Sequence, residues 1–259
     1  MSNDIIILPR RRFLGAAAAG AGGLLLSGCD ALTENEGFRG VLRGAEKLNM
    51  ASHRIIGDRA GLAREFSESD MSPVFKMNGS ISGATAEYDA HVASKFADWR
   101  LVIDGLVAKP LSLSLAQLKA MPARTQITRH DCVEGWSAIG KWHGVPLKLL
   151  LDSAGMKSSA RYIVFHCADI YGTSGLRYYE SIDLVDAFHP QTIIAWGMNN
   201  KLIPIGNGAP LRLRVERQLG YKHAKYIERI EAVASLSGLY GGKGGFWEDT
   251  ASYEWYGGI

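Results

Sequence analysis

A strand predicted over residues 125–128 leads into the loop Arg129-His130-Asp131-Cys132-Val133-Glu134-Gly135-Trp136-Ser137. A loop that follows a strand can present a side chain to a bound group from a rigid base. Cys132 is therefore a candidate metal ligand. The alternative is a disulfide between Cys132 and Cys167. The sequence around this loop bears on the choice between the two.

Three further motifs follow the loop along the chain. They are Trp142-His143-Gly144-Val145-Pro146-Leu147, Asn207-Gly208-Ala209-Pro210-Leu211-Arg212 and Gly220-Tyr221-Lys222-His223-Ala224-Lys225. The Asn-Gly pair is typical of a hairpin turn. The basic side chains can form charge-assisted hydrogen bonds to a phosphate. The alternation of Arg212 and Arg214 also fits the solvated face of a strand.

The N-terminal 29 residues are predicted to be an export signal. Arg10-Arg11-Arg12-Phe13-Leu14 fits a twin-arginine motif, and a short apolar run follows from Gly15 to Leu26. The run ends in Leu26-Ser27-Gly28-Cys29, which resembles a lipobox. We therefore expect a periplasmic protein that folds around its cofactor before export. Lipidation of Cys29 would anchor it to the inner membrane, and cleavage near Ala16–Ala21 is the alternative.

Composition indicates one globular domain with a sizeable core. The chain has 259 residues, of which 47% are hydrophobic and 21% charged, and its net charge is +3. Such a small, evenly mixed charge does not indicate a nucleic-acid partner. After the signal, no stretch is long and apolar enough to span a bilayer.

The mature chain is predicted to contain a tether and helical segment over residues 30–72, and a catalytic domain over 73–259. Apolar residues recur at helical spacing between Phe38 and Ile56, and a second short helix is predicted over 60–66. Beyond residue 99, short strands and helices alternate without a βαβ rhythm, which indicates an α+β fold with mixed sheets. The aromatic residues of segment 241–259 are expected to be buried against the surface.

The four motifs, in this order, resemble the molybdopterin-binding domain of the sulfite oxidase family. Within that family, the chain is most similar to bacterial catalytic subunits related to the periplasmic methionine sulfoxide reductase. The resemblance covers roughly residues 73–259. It implies a sulfite oxidase-type fold and a molybdenum–molybdopterin cofactor.

The resemblance also implies roles for individual residues. Cys132 would be the molybdenum ligand, in keeping with the preference of thiolates for soft metals. The rest of the cofactor would be bound by Asn78, Cys167, Asn207, Arg212, His223, Ala224 and Lys225. At position 167 relatives have Thr or Ser, and a thiol is a poorer hydrogen-bond donor. Backbone N–H groups at 223–225 are predicted to hold phosphate oxygens or the pterin edge. Candidates for the substrate mouth are Glu134, which is predicted to be catalytic, and His130, Trp136 and Tyr171.

The implied activity is oxygen-atom transfer, with reduction of a sulfoxide or N-oxide as the expected direction. The chain has no C-x-x-C-H haem motif and no cysteine set for an iron–sulfur cluster, so a separate electron donor is expected. In related systems the donor is a membrane haem b protein. Sulfite oxidation is the alternative within the family. Its known enzymes usually carry an additional C-terminal dimerisation domain, so we expect a monomer here.

Two alternatives come from other functional classes. The first is a cysteine hydrolase in which Cys132 is paired with His130, His143 or His166. It would need an oriented base and an oxyanion hole, and no nucleophile-elbow pattern surrounds the cysteine. The second is an exported lipoprotein that keeps the fold as a binding module without metal.

Overall fold

The N-terminal part of the chain forms a separate helical unit. The computed structural model describes residues 35–172 and 175–259 of the protein. The chain divides into two compact units, residues 1–55 and 56–259. The first contributes helix α1 (Glu36–Ile56), where the apolar periodicity predicted a helix. Asn35 begins the helix, because its Oδ1 accepts a hydrogen bond from the Phe38 N–H at 3.1 Å. The predicted signal and lipobox lie outside the described residues.

The second predicted helix, over residues 60–66, is not formed, and this prediction is wrong. The segment is extended, and Glu65 forms an isolated bridge with Thr128. The Phe66 N–H donates to the Ile127 carbonyl at 2.9 Å. Gln191 bonds both backbone groups of Ala63, at 2.7 and 2.9 Å. Tertiary partners therefore replace helical hydrogen bonds, and the second unit includes residues ahead of the boundary predicted at residue 73.

The second unit contains two sheets of five strands each. The first has the order β2-β1-β10-β5-β6. Its strands are β1 (Arg100–Gly105), β2 (Leu111–Ser114), β5 (Tyr162–Ile170), β6 (Arg177–Asp183) and β10 (Ile227–Val233). β1 and β10 are parallel and the other pairs are antiparallel, so this sheet is mixed.

The second sheet is antiparallel in all its described pairs. Its order is β3-β4-β7-β8, and β9 also pairs with β7. The strands are β3 (Arg124–Asp131), β4 (Ser137–Pro146), β7 (Ile193–Met198), β8 (Lys201–Leu202) and β9 (Arg212–Arg214). Gly144 lets β4 approach β7 closely, since a Cβ there would collide with the Ile194 carbonyl oxygen.

Short helices connect the strands. They are α2 (Ala86–Ala93), α3 (Leu115–Ala120), α4 (Leu147–Ala154), α5 (Leu184–Ala187) and α6 (Phe246–Ala251). Ser114 caps α3 through a capping box with Gln117. Gly155 ends α4 with φ of 67°, which a glycine adopts without strain. Among the helices of the described part of the chain, none is long and apolar enough to cross a bilayer.

The main core is shared by both sheets. Side chains from the first sheet, such as Ile103 and Phe165, are buried in one cluster with Ile194 and Leu213 of the second. The inner face of α4, including Leu150, belongs to the same cluster. The predicted α+β class with mixed sheets is confirmed, and the strands held by this core end around a single cavity.

Candidate active site

Cys132 lies in the turn of the β3–β4 hairpin. Asp131 and Ser137 are the last paired residues of the two strands. The Cys132 N–H donates to the Trp136 carbonyl at 2.9 Å, and the Gly135 N–H donates to the Cys132 carbonyl at 3.0 Å. Gly135 has a φ of 83°, which favours glycine. The loop is therefore closed by its own hydrogen bonds, and it presents the Cys132 thiol to the cavity from a fixed backbone.

The wall opposite this hairpin is the segment Asn78-Gly79-Ser80. The Asn78 Nδ2 lies 3.4 Å from the Cys132 Sγ. Residues 78–80 line the same cavity as Cys132. A donor at this distance can hydrogen-bond to a thiolate and so stabilise its charged form.

Lys225 holds this wall in place through hydrogen bonds. Its Nζ donates to the carbonyls of Asn78 at 2.7 Å, of Ser80, and of Gly206 at 3.4 Å. An ammonium has three N–H donors, so these contacts occupy all of them. Burial, followed by the charge of Arg212, lowers the pKa of Lys225 to about 7. Lys225 thus lines the cavity, and its ammonium group links the segment 78–80 to Gly206.

Arg212 is the buried cation of the cavity wall. One of its terminal nitrogens donates to the Asn207 carbonyl at 3.2 Å, while its Nε has no partner among the described residues. Within the described residues, no carboxylate pairs with it, and burial lowers its pKa to about 9. A buried guanidinium without an anion is costly, so an anionic ligand is its natural complement.

The alternative view of β9 as a solvated strand face is wrong, since Arg212, Leu213 and Arg214 are all buried. Arg214 makes a two-pronged ion pair with Glu216, at 2.9 and 2.5 Å, and its third contact is His130 Nδ1 at 3.0 Å. Arg214 is therefore a structural residue that stands behind the cavity.

Two neutral histidines complete this wall. The rings of His130 and His223 meet edge to face, with centroids 4.9 Å apart. Burial is the main cause that holds the pKa of both imidazoles well below the usual range. The Nε2 of His223 contacts the Gln218 carbonyl at 3.0 Å and therefore carries the proton. Its Nδ1 is buried and has no partner in the part of the chain that the structure describes, which leaves an acceptor for a bound group.

The backbone amides predicted to hold the cofactor at 223 and 224 are already used. The His223 N–H donates to the Gly220 carbonyl at 3.1 Å, and the Ala224 N–H donates to the Lys222 carbonyl at 3.2 Å. Ala224 belongs to the hydrophobic core and does not line the cavity. In this structure the 3-10 turn over Gly220–Lys222 and the residues after it use these two amides within the protein, and cofactor binding by the backbone of residues 223–225 stays a prediction.

Cys167 and Asn207 lie behind the cavity surface and do not line it. Cys167 is in the main core, where burial holds the pKa of its thiol well above the usual range. Asn207 supports Arg212 through its carbonyl, and its buried Nδ2 has no partner within residues 35–172 and 175–259. Cys132 and Cys167 are both free, so the disulfide alternative is not what the structure shows.

Glu134 lies at the mouth, with about half of its side chain exposed. It accepts hydrogen bonds from Trp136 Nε1 at 3.2 Å and from Lys76 Nζ at 3.4 Å. The Trp136 hydrogen bond is the main reason that the pKa of Glu134 is lowered. An ionised carboxylate of this kind does not serve as a proton donor near neutral pH. It is suited to orienting a substrate or a water molecule.

The cysteine hydrolase alternative finds no support in the geometry. Across residues 35–172 and 175–259, the hydrogen-bond partner of Cys132 Sγ is Asn78, and no histidine bonds to it. The Nδ1 of His130 is occupied by Arg214, while His143 and His166 do not line the cavity. A thiol nucleophile would need an adjacent base.

Sequence patterns missed several residues of the cavity. Asp169, Tyr178, Trp247 and Tyr253 line it together with Tyr171, which was predicted. Trp247 and Tyr253 come from the aromatic segment 241–259, and their rings stack with centroids 5.5 Å apart. Aromatic density was the available signal for these two. No pattern in the surrounding sequence indicates a functional role for Asp169, apart from its place at the end of a strand.

The comparisons with known proteins agree with this geometry. The model of the oxidoreductase molybdopterin binding domain matches residues 89–239, more than half of the chain. A protein of Azospira oryzae named "Putative protein-methionine-sulfoxide reductase subunit YedZ1" is 37% identical over 255 residues, which are 98% of this chain and 89% of that protein. The methionine-sulfoxide reductase catalytic subunit MsrP of Xanthomonas campestris is 38% identical over 151 residues. That alignment covers 55% of this chain and 47% of MsrP, so the chain spans about half the length of this relative.

A solved structure shows the same fold. The sulfane dehydrogenase SoxCD from Paracoccus pantotrophus superposes with a TM-score of 0.50 at 23% identity, over 60% of this chain and 41% of that chain. The sulfite oxidase-type fold expected from the sequence is thus confirmed. The domain match, the near full-length relative and the cavity around Cys132 lead to one conclusion: the chain is an oxidoreductase that belongs to the molybdopterin-binding domain family.

Proposed function

We propose that this protein binds molybdenum–molybdopterin through Cys132 and reduces sulfoxides, with methionine sulfoxide in peptides or proteins as the main substrate class. The observation that carries the proposal is that Cys132 and Arg212 line the same cavity, and that Arg212 is buried there without a carboxylate partner among the described residues. The names of the methionine-sulfoxide reductase relatives support the substrate class.

The side chains around the cavity fit such a cofactor. A thiolate is a suitable molybdenum ligand. In the described part of the chain, Arg212 Nε and His223 Nδ1 are buried without partners, and both residues line the cavity, so each could bond to a polar ligand there. The depressed pKa of Arg212 would return toward its usual value once a phosphate lies beside it. An anionic, polar cofactor would therefore supply the hydrogen-bond partners and the negative charge that the cavity wall needs.

In the proposed reaction, a sulfoxide takes up two electrons and two protons and yields a thioether and water. The bound cofactor would supply the oxygen-accepting metal and pass on the electrons. Cys132 would hold the metal, and Asn78 would stabilise the thiolate charge through its Nδ2. Glu134, ionised at the mouth, would orient the substrate or the product water. The rings of Tyr171, Trp247 and Tyr253 offer favourable sulfur–aromatic contacts to a methionine side chain.

The proposal includes an external electron donor and a location. The three cysteines of the chain do not suffice for an iron–sulfur cluster beside the metal ligand. We expect a membrane haem b subunit to deliver electrons to a monomeric, periplasmic catalytic subunit. The twin-arginine motif at Arg10–Arg12 supports this route, and lipidation of Cys29 would keep the protein at the inner membrane.

Purified protein from a host that makes molybdopterin tests this proposal. We expect about one molybdenum and one pterin per chain, measured by elemental analysis and pterin fluorescence. With a reduced dye as the electron source, methionine sulfoxide should be reduced faster than N-oxides, and sulfite should not be oxidised at a comparable rate. Fully matured protein without molybdenum would rule the proposal out, and preferential oxidation of sulfite would replace it with the alternative activity.

Replacing Arg212 with Gln should weaken cofactor retention. Truncating one partner of a buried charge pair typically costs about 2 to 5 kcal/mol of binding free energy. The affinity for the cofactor should therefore fall by a factor of about 30 or more. The cofactor-free variant should be at least as stable as the wild type, because an uncompensated buried charge is removed. Molybdenum content after dialysis and denaturant unfolding measure the two effects.

Arg217→Gln is the matched control for this change. Arg217 pairs with Asp186 at 3.0 Å and does not line the cavity, so this variant should keep the cofactor. Equal molybdenum content in the two variants would show that Arg212 does not bind the phosphate.

A further inference from the structure

Helix α1 carries an apolar stripe that the proposed function does not use. The stripe consists of Val41, Ala45, Leu48 and Ile55, whose spacing of four, three and seven residues places them on one side of the helix. All four residues are exposed, with Val41 and Leu48 69% accessible and Ile55 82% accessible. Contiguous apolar surface in contact with water is costly and commonly marks a binding surface.

Ser52 lies on the same side of the helix without interrupting the stripe. It follows Leu48 by four residues, and its hydroxyl donates to the Leu48 carbonyl at 2.8 Å. The polar hydrogen is therefore bonded within the helix, so Ser52 can enter an apolar environment at little cost. The stripe runs along most of α1, whose 21 residues make a helix about 30 Å long. An elongated apolar partner would cover it.

The charge and polarity of α1 favour a lipid surface as that partner. The helix contains four Lys or Arg residues and two Glu residues, so it has an excess of two positive charges. Lys47 and Arg54 are seven residues apart, and the helical repeat places both positions away from the stripe. The helix is not apolar enough to cross a bilayer. A basic side and an apolar side together are typical of helices that lie at the interface of an anionic membrane.

The chain ahead of α1 points to the same partner. Five residues separate Cys29 from Asn35, which caps the helix. An extended chain of this length spans at most about 20 Å, so a lipid on Cys29 would hold the start of α1 close to the bilayer. We infer that the apolar stripe of α1 binds the anionic lipid surface of the inner membrane, with the helix axis in the plane of the interface. This inference rests on the membrane location included in the proposed function.

A membrane-bound α1 would give the protein an attachment that does not depend on lipidation. A single acyl chain supports only reversible membrane binding, and stable attachment needs a second contact. If the signal is cleaved near Ala16–Ala21, Cys29 is not the first residue and carries no lipid, and the stripe would then be the contact with the bilayer. In both cases α1 would keep the protein beside a membrane electron donor.

Vesicle binding by the cofactor-loaded protein tests this inference. A Cys29→Ser protein, which cannot be lipidated, should cosediment with vesicles of phosphatidylethanolamine and phosphatidylglycerol. Binding should be weaker to vesicles of phosphatidylcholine alone and at high salt, because both conditions reduce the attraction of the basic side. Adding Val41→Gln and Leu48→Gln should lower the affinity at least about 10-fold, since two apolar side chains no longer enter the lipid. Gln is a good helix former, so α1 should be retained.

Val74→Gln with Leu62→Gln is the matched control. These residues are 75% and 57% exposed and lie outside α1, so the same chemical change should leave vesicle binding intact. Equal binding by the two double variants would overturn the inference. A lower melting temperature of the variant in Val41 and Leu48 would also overturn it, because the stripe would then be packed inside the protein.

Molybdenum content and dye-driven sulfoxide reduction are measured on the same samples. Both should be unchanged in the double variants, because the substituted residues do not line the cavity. A loaded, active Cys29→Ser protein that does not bind the anionic vesicles would overturn the inference alone. A protein without molybdenum that still binds vesicles through α1 would overturn the proposed reaction and support the membrane contact.

Discussion

Cys132→Ala should reduce turnover to the background rate and abolish the absorption that arises from a thiolate–molybdenum bond. Loss of a residue that merely supports a metal ligand costs about 10- to 100-fold in activity, so loss of the ligand itself should exceed 100-fold. Some cofactor should remain bound, because Arg212 and His223 still line the cavity. Absorption spectra, molybdenum content and sulfoxide reduction with a reduced dye measure the three expectations.

Cys167→Ala is the control that the chain itself provides. Its thiol is equally free of a disulfide but lies in the main core, away from the cavity surface. This variant should keep the thiolate–metal spectrum and turnover, and lose about 1 kcal/mol of stability from the small void. If Cys132→Ala retained full activity, or if Cys167→Ala lost the metal spectrum, the ligand assignment would be wrong.

Lys222→Met should be the most destabilising single change near the cavity. Lys222 is fully buried, and its Nζ lies 2.5 Å from Glu180 Oε1 and 2.8 Å from Glu248 Oε1. Removing the cation leaves two buried carboxyl groups without their counter-ion. Breaking a buried pair in this way costs about 3 to 5 kcal/mol. Denaturant unfolding of the cofactor-free protein measures the loss.

Two further variants separate the effect of charge on stability from the effect of packing around Lys222, Glu180 and Glu248. Burial raises the pKa of Glu180 well above its usual range, against the opposing charge of Lys222, so the ionised form of this carboxyl group is disfavoured in the protein. Replacing Glu180 with a neutral Gln should therefore cost less than Lys222→Met. Adding Glu180→Gln and Glu248→Gln to Lys222→Met should recover most of the stability, since a neutral set replaces the broken ionic one. A loss below about 1 kcal/mol for Lys222→Met would contradict the buried ion pair.

The sequence was sufficient to predict part of the cavity wall, although Cys167, Asn207 and Ala224 do not line it. Cys132 and Arg212 are eighty positions apart, yet the structure places both in one cavity together with Asn78, His223 and Lys225. The ordered motifs carried this information, because each marks the end of a strand or a turn that the core holds in place. The capping box at Ser114 and the helix end at Gly155 were also predictable, since both depend on local geometry.

The roles of the same residues were harder to predict. Lys225 was expected to contact the cofactor, but its ammonium is occupied by carbonyls that are distant in the sequence. The alternation around Arg214 suggested solvent, while a partner two residues away, Glu216, keeps it buried. The amide of Ala224 is used by a 3-10 turn. For Lys225 the partners are distant in the sequence, and local patterns do not encode such partners. For Arg214 and Ala224 the partners are two residues away, but strand alternation alone does not reveal a local ion pair or turn.

The hydrogen bonds by which Lys225 links the segment 78–80 to the rest of the cavity wall affect how the cavity is assembled. The hydrogen bond to Asn78 joins residues 147 positions apart, and closing a loop of that length costs chain entropy of about 4 kcal/mol beyond a constant term. A buried ammonium with a lowered pKa is poorly suited to meet that cost alone. We therefore expect the sheets to bring the two ends together before Lys225 can bridge them, so that the Asn78 wall docks late in folding. A wall that docks late would leave that side of the cavity open to a bulky cofactor while the rest of the protein is folded.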